Sequence, residues 1–261
     1  MQATALAALT IALATACDAL IYDDLTDCPQ TMVFTFYRQT PCETQPYYPA
    51  DIREVRVFAF DSNDVLAEQW QATGLTLRGD YSLTTTFNPQ GDFTFAAWAA
   101  ADFSGYNLSA LEKGVTTRQQ LTLTMNHAAA NDGSPLQATG LQQPQPLYFG
   151  RHATPVGRHY ANDEGSHTDS VAFNLIQMTN RVNVTVYGLE PTHEYRIYIA
   201  DNNDQYNLDG QIVTGREHFD YTSLQDKNEG VYRCRFTTLK LEEGRGTELV
   251  VYDKTTDTKV F

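Results

Sequence analysis

The chain has 261 residues, with 18 Lys and Arg against 32 Asp and Glu and a formal net charge of −14 at pH 7. That length allows one large or two ordinary domains and a core of useful size. The acidic balance, with no basic stripe, excludes the phosphate neutralisation on which nucleic-acid binding depends and disfavours an anionic membrane surface. Tyr (15) and Phe (13) are abundant, and long Ala/Leu/Glu/Lys runs are missing after residue 20, so the composition is that of a strand-rich protein.

The first element is an address. Residues 3–16 (ATALAALTIALATA) form a small-residue apolar run, too short for the roughly 20 residues of a spanning helix and suited to the core of an export signal. The run is apolar around its whole circumference, which argues against a surface helix. No Lys or Arg precedes it. It ends Leu13-Ala14-Thr15-Ala16-Cys17, which resembles a bacterial lipobox with its leucine one place early. The resemblance implies cleavage between Ala16 and Cys17, diacylglycerol on the Cys17 thiol and acylation of the freed amine. Two or three acyl chains anchor stably where one would not. Residues 1–16 thus read as a lipoprotein signal peptide, and 17–28, with Asp18, Asp23, Asp24 and Asp27, as an acidic tether.

Setting Cys17 aside leaves Cys28, Cys42 and Cys234. Cys28 and Cys42 flank the first predicted strand, and a disulfide between them is feasible in an oxidising envelope; two buried free thiols fit equally well. No Cys/His spacing suggests zinc.

Period-2 alternation then dominates. TMVFTFYR (31–38) places Met32, Phe34 and Phe36 on one face. REVRVFAF (53–60) sets Val55, Val57 and Ala59 against Arg56, Phe58 and Phe60, and with the turn Asp61 to Asp64 it predicts a hairpin over 53–71. YSLTTTF (81–87) and FTFAAWAA (93–100) read as a second hairpin, with a helical turn in 108–120 and a strand at 121–125. Residues 126–146 read as a long loop. Strands follow at 147–150, 170–177, 181–188, 194–200, 210–213, 231–239 and 248–253. The expectation is all-β: two consecutive antiparallel β-sandwiches dividing near residue 150, at 29–150 and 151–261; because the chain stops in strand context at Phe261, the second is expected either to lack its last strands or to have them supplied from elsewhere.

Hydrolase, zinc-protease and nucleotide-binding motifs are absent, so no catalytic residue, metal site or cofactor is expected. His152, His159 and His167 lie with Asp163 and Glu164 in a polar stretch whose spacings fit no tight chelate. DNNDQYNLDG (201–210) is oxygen-rich but reads better as an Asn/Asp turn than as a calcium loop. Trp98 reads as core, and Tyr47-Tyr48 as an exposed aromatic pair able to stack on sugar.

CDALIYDDLTDCP, an aromatic strand and then EVRVFAFDSNDVL together resemble the fimbrillin-A-associated anchor proteins, the lipid-anchored subunits of Bacteroidales type V fimbriae. The matching segments are Cys17, Ile21 to Pro29, and Val55 to Asn63. LYFG (147–150) and Leu175 to Val184 resemble the family's second-domain entry, with Gln177 where arginine is usual. The likeness spans most of 17–200 and lies in strand patterns. It implies transthyretin-like sandwiches in a non-enzymatic, surface-exposed subunit that holds a fimbria at the outer membrane and limits its length. The implied partners are the major fimbrillin, through strand exchange, and the outer membrane, through lipid. The alternative reading is a surface lipoprotein that binds glycan for an uptake system.

Overall fold

The computed structural model describes residues 30–88, 91–128, 136–138, 146–157, 167–213 and 218–261. Among them there is no helix. The chain opens with β1 (Gln30–Tyr37), β2 (Glu54–Phe60), β3 (Leu66–Thr73), β4 (Leu83–Phe87) and β5 (Phe93–Ala100). The Asp61 carboxylate accepts from the amides of Asn63 and Val65 and so shapes the β2–β3 turn, while Asp64 takes a left-handed conformation at φ 59°. Short strands follow: β6 (Tyr106–Leu108), β7 (Thr122–Met125), β8 (His127–Ala128) and β9 (Leu136–Ala138). Next come β10 (Leu147–Val156), β11 (Thr168–Asn174), β12 (Ile176–Gln177) and β13 (Thr179–Val186). The remainder holds β14 (Tyr195–Asp201), β15 (Gln205–Asn207), β16 (Phe219–Tyr221), β17 (Leu224–Asn228), β18 (Val231–Leu239), β19 (Glu248–Asp253) and β20 (Thr258–Lys259).

These strands form five sheets. The first two, ordered β11-β1-β4 and β12-β10-β5-β2-β3, face each other. Alternation decides what meets between them: Met32, Phe34 and Phe36 from β1 and Val171 and Phe173 from β11 pack on Val55, Val57, Phe95 and Ala97. Phe36 and Phe173 stack at 5.4 Å, and Trp70 closes the rim edge-on to Phe87 at 5.4 Å. Such aromatic pairs add about 0.5–1.5 kcal/mol each beyond buried area.

The five-stranded sheet is buried on its other face too. Phe58, Phe60, Ala96, Trp98, Leu147 and Phe149 turn toward a second cluster that includes Leu123, Ile199, Tyr206, Phe219, Tyr221 and Phe236. Trp98 is fully buried between Phe149 (4.8 Å) and Tyr206 (5.6 Å). This two-sided burial explains why EVRVFAF and FTFAAWAA are nearly continuous apolar runs. Behind lie three sheets, ordered β13-β18-β17, β20-β19-β14-β16-β9-β8 and β15-β7-β6.

Two expectations need correction. First, β4 does not form a hairpin with β5; it pairs antiparallel with β1 in the opposite sheet. Its Thr-rich, half-exposed pattern suits an edge, whereas β5 is wanted between β2 and β10. Second, the 126–146 stretch contributes β8 and β9, whereas 108–120 holds the expected single turns, closed by Thr116 N–H to the Glu112 carbonyl at 2.9 Å and Leu121 N–H to the Thr117 carbonyl at 3.2 Å. Sheet pairing also runs across residue 150 in both directions. β11 runs parallel to β1, with Phe34 opposite Val171 and Phe36 opposite Phe173, so residues 168–174 complete the N-terminal sheet. In the other direction, β7 pairs with β15 and β9 runs parallel to β16, so residues 122–138 serve the C-terminal sheets. The physical cause is burial: Val171 and Phe173 fill the first cluster, and Leu123 and Met125 the second.

Candidate assembly surface

The sheet β13-β18-β17 presents a surface unlike the rest of the molecule. Its inner face seats Tyr232, Cys234 and Phe236 of β18 in the core, almost fully buried. Burial raises the Cys234 thiol above its usual value, a hydrogen bond with Ser223 pulling back, so this cysteine is a core group rather than a nucleophile. Beside it, Val182, Val184 and Val186 of β13 pack on the same core but remain half-buried. The reason is topological. β13 pairs with β18 on one side, and among the described residues nothing pairs with it on the other.

An open edge of eight residues, roughly 26 Å long, leaves backbone donors and acceptors unused. Exposed apolar side chains flank it, Ile176 at 55% and Tyr187 at 72% exposure. On the outer face the register sets Arg181 opposite Thr237, Asn183 opposite Arg235 and Thr185 opposite Arg233. β17 adds Leu224 beside Arg235 and Asp226 beside Arg233. A shallow cavity of about 290 Å³ lies among these side chains.

A polar joint fastens the layers elsewhere. Arg118, 3% exposed, donates to Asp64 at 2.9 Å, lies over the Phe60 ring at 4.4 Å and approaches Asp209 at 3.8 Å. Asp209 also pairs with Arg151 at 3.0 Å. Gly210, at φ +72°, follows; a Cβ there would meet the Phe149 ring at 2.7 Å, so only glycine lets this turn approach. Tyr206 Oη donates to the Met178 carbonyl and accepts from the Lys240 amide, both at 2.7 Å, and burial raises its pKa well above the usual phenol value.

The sequence-predicted sites fall differently. Ala16, Cys17 and Cys28 lie outside the described residues, as do His159, Asp163 and Glu164. Cys42 is exposed in the loop after β1, a loop closed by the backbone bridge between Arg38 and Tyr47. His152 belongs to β10 rather than to a loop, and His167 sits 3.4 Å from Asp169. The oxygen-rich DNNDQYNLDG stretch spends its side chains on the protein. Asn207 Oδ1 accepts from the amides of Asp209 and Gln211, and Asp201 accepts from the Asn202 amide and Thr247 Oγ1. Asn203 Oδ1 accepts from Tyr221 Oη at 2.7 Å, and Asp204 pairs with His127 at 3.1 Å. Among the described residues no group of three or more His, Cys, Asp or Glu is placed to hold a metal ion. The expected Tyr47-Tyr48 pair is split, because Tyr47 is 51% exposed while Tyr48 packs on the core.

The sequence did not reveal the β13 edge. RVNVTVYG shows alternation but not which neighbour is missing, and its one local signal is the run of exposed polar positions ending in Tyr187.

The described residues thus form an all-β chain of stacked sheets with one strand edge left open among them. The model of the family of fimbrillin-A associated anchor proteins Mfa1 and Mfa2 matches residues 25–261, and the chain belongs to that family. The chain is 31% identical over 249 residues to the minor fimbrium anchoring subunit Mfa2 of Porphyromonas gingivalis, covering 94% of this chain and 73% of that protein. The structure of the fimbrial anchor protein Mfa2 from the same organism superposes with a TM-score of 0.74 at 28% identity, over 90% of this chain and 81% of the other. A candidate polysaccharide-binding protein from Bacteroides thetaiotaomicron shares the fold at a TM-score of 0.68 and 21% identity, over 89% and 79% of the two chains.

Proposed function

We propose that this chain is a fimbrial anchor or minor subunit that joins a fimbria to the outer membrane and limits its length. The observation that carries this reading is the match to the anchor family over nearly the whole folded chain, with 31% identity to an anchoring subunit. In this reading Cys17 carries lipid after cleavage behind Ala16, and residues 17–28 form the tether. The bodies that follow stand at the cell surface as two sandwich units whose sheets exchange strands. The role is structural and non-enzymatic. The partner is the major fimbrillin, engaged by strand addition, for which an open edge supplies both backbone groups and apolar pockets. A Cys28–Cys42 disulfide would tie the tether to the exposed loop after β1, and the mass of the unreduced peptide containing both residues would show it.

Deleting the gene and viewing cells by electron microscopy tests the role. Detached or lengthened fimbriae are expected, and unchanged attachment and length would overturn it. Cys17→Ala is expected to release the protein from membranes; retention in the detergent phase would contradict lipidation. The glycan-binding alternative is weaker. Trp98 is core rather than platform, and likeness to the candidate polysaccharide-binding protein extends to the fold alone.

A further inference from the structure

We propose that the β13 edge accepts an extended, acidic segment of a partner protein as an additional strand. Three separate observations meet there. The first is the edge itself, unpaired among the described residues, which offers hydrogen bonds along residues 180–186. The second is the row Val182, Val184 and Val186, left half-buried where the adjacent residues of β18 are covered. An incoming strand with apolar side chains at alternate positions would extend that inner face and complete its burial.

The third is charge. In a chain with 32 acidic and 18 basic residues, cations are expected to find acids readily. Many do: Arg56 with Glu54, Arg118 with Asp64, Arg151 with Asp209, Arg196 with Asp220 and Arg245 with Glu242. Among the described residues Arg181, Arg233 and Arg235 do not, although all three are exposed on one face within two neighbouring strands. The acid on that face is Asp226, across from Arg233; Lys227 turns away toward the Tyr232 ring. Fixed beside the edge, the arginines select the outward-facing positions of the added strand: carboxylates there would meet guanidinium groups, and lysines would be repelled. The two edges of this sheet support the assignment. β17 is fully exposed and carries Asp226 and Lys227, the charged pattern that discourages pairing, while β13 carries a single charge, Arg181, flanked by Val, Asn and Thr.

The proposal rests on the strand-assembly reading only for the partner's identity. The test therefore uses the full folded chain and a synthetic ten-residue peptide alternating Val and Glu, with binding read by calorimetry and β13 amide protection by hydrogen exchange. Binding should protect the amides of 180–186 that point away from β18. It should weaken roughly tenfold or more in the Arg233→Glu/Arg235→Glu protein and with the Val/Lys peptide. It should vanish for peptides N-methylated at alternate residues. Circular dichroism of the double variant, whose changes lie on an exposed face, should match the parent. Absence of binding, binding that survives N-methylation, or binding without protection of β13 would each overturn the proposal. Such results would leave the deletion phenotype, and with it the anchor role, standing independently.

Discussion

Two sheets in this molecule treat their central strands alike and their faces and edges differently. β5 is flanked by β2 and β10 and buried on both faces. β18 is flanked by β13 and β17, yet buries one face only. The sequences carry the difference: FTFAAWAA has no charged residue, whereas VYRCRFTTL alternates Tyr, Cys and Phe inward with Arg, Arg and Thr outward. A sheet packed on both sides fixes register and holds the layers together. A sheet packed on one side can leave an edge available without costing the core its integrity.

Substitutions that act on one sheet and spare the other sharpen this contrast. The largest effect should come from Trp98→Ala, which empties a fully buried site between Phe149 and Tyr206. A loss of about 3–5 kcal/mol is expected in urea unfolding. Arg118→Met removes a buried cation from Asp64 and Asp209 while keeping much of its volume. With Asp64 largely solvated, about 2 kcal/mol is expected from the same measurement. Valine truncation makes the comparison direct. Val57→Ala, fully buried in the central sheet, should cost about 2 kcal/mol, and Val184→Ala on the open edge under about 1 kcal/mol. Equal losses would show that the β13 edge is covered.

Electrostatics gives a gentler test. Burial pushes the Asp253 carboxyl up, but hydrogen bonds from His193 and from the Thr255 and Thr256 amides outweigh it, so the group sits below its ordinary value. A depressed folded carboxylate stabilises above the ordinary carboxylate range, and the gain is lost as pH falls through the folded value. Melting temperature followed downward from pH 6 should fall less steeply in Asp253→Asn than in the parent; parallel curves would remove the assignment. The smallest effect is expected from Arg233→Glu/Arg235→Glu, within about 0.5 kcal/mol per site, because these side chains are exposed and hold no ion pair among the described residues.

The all-β class, the β2–β3 hairpin and the inward face of β1 were legible in the sequence, because alternation reports which side of a strand is buried. Partnership was not. The hairpin expected of β4 and β5 fails for a definite reason: a strand such as LTTTF (83–87) pairs locally or across the sandwich with the same pattern, and here β1 claims it. The parallel entry of β11 beside β1, and of β9 beside β16, joins segments far apart in the chain, which no local pattern encodes. The β13 edge stayed hidden likewise, since an edge is defined by the absence of a neighbour.

Hydrogen exchange of the free protein, read residue by residue, tests the contrast most directly. The amides of β5 should exchange only with global unfolding, while the β13 amides that point away from β18 should exchange orders of magnitude faster under native conditions. Protection of those β13 amides equal to that of β5 would contradict the account.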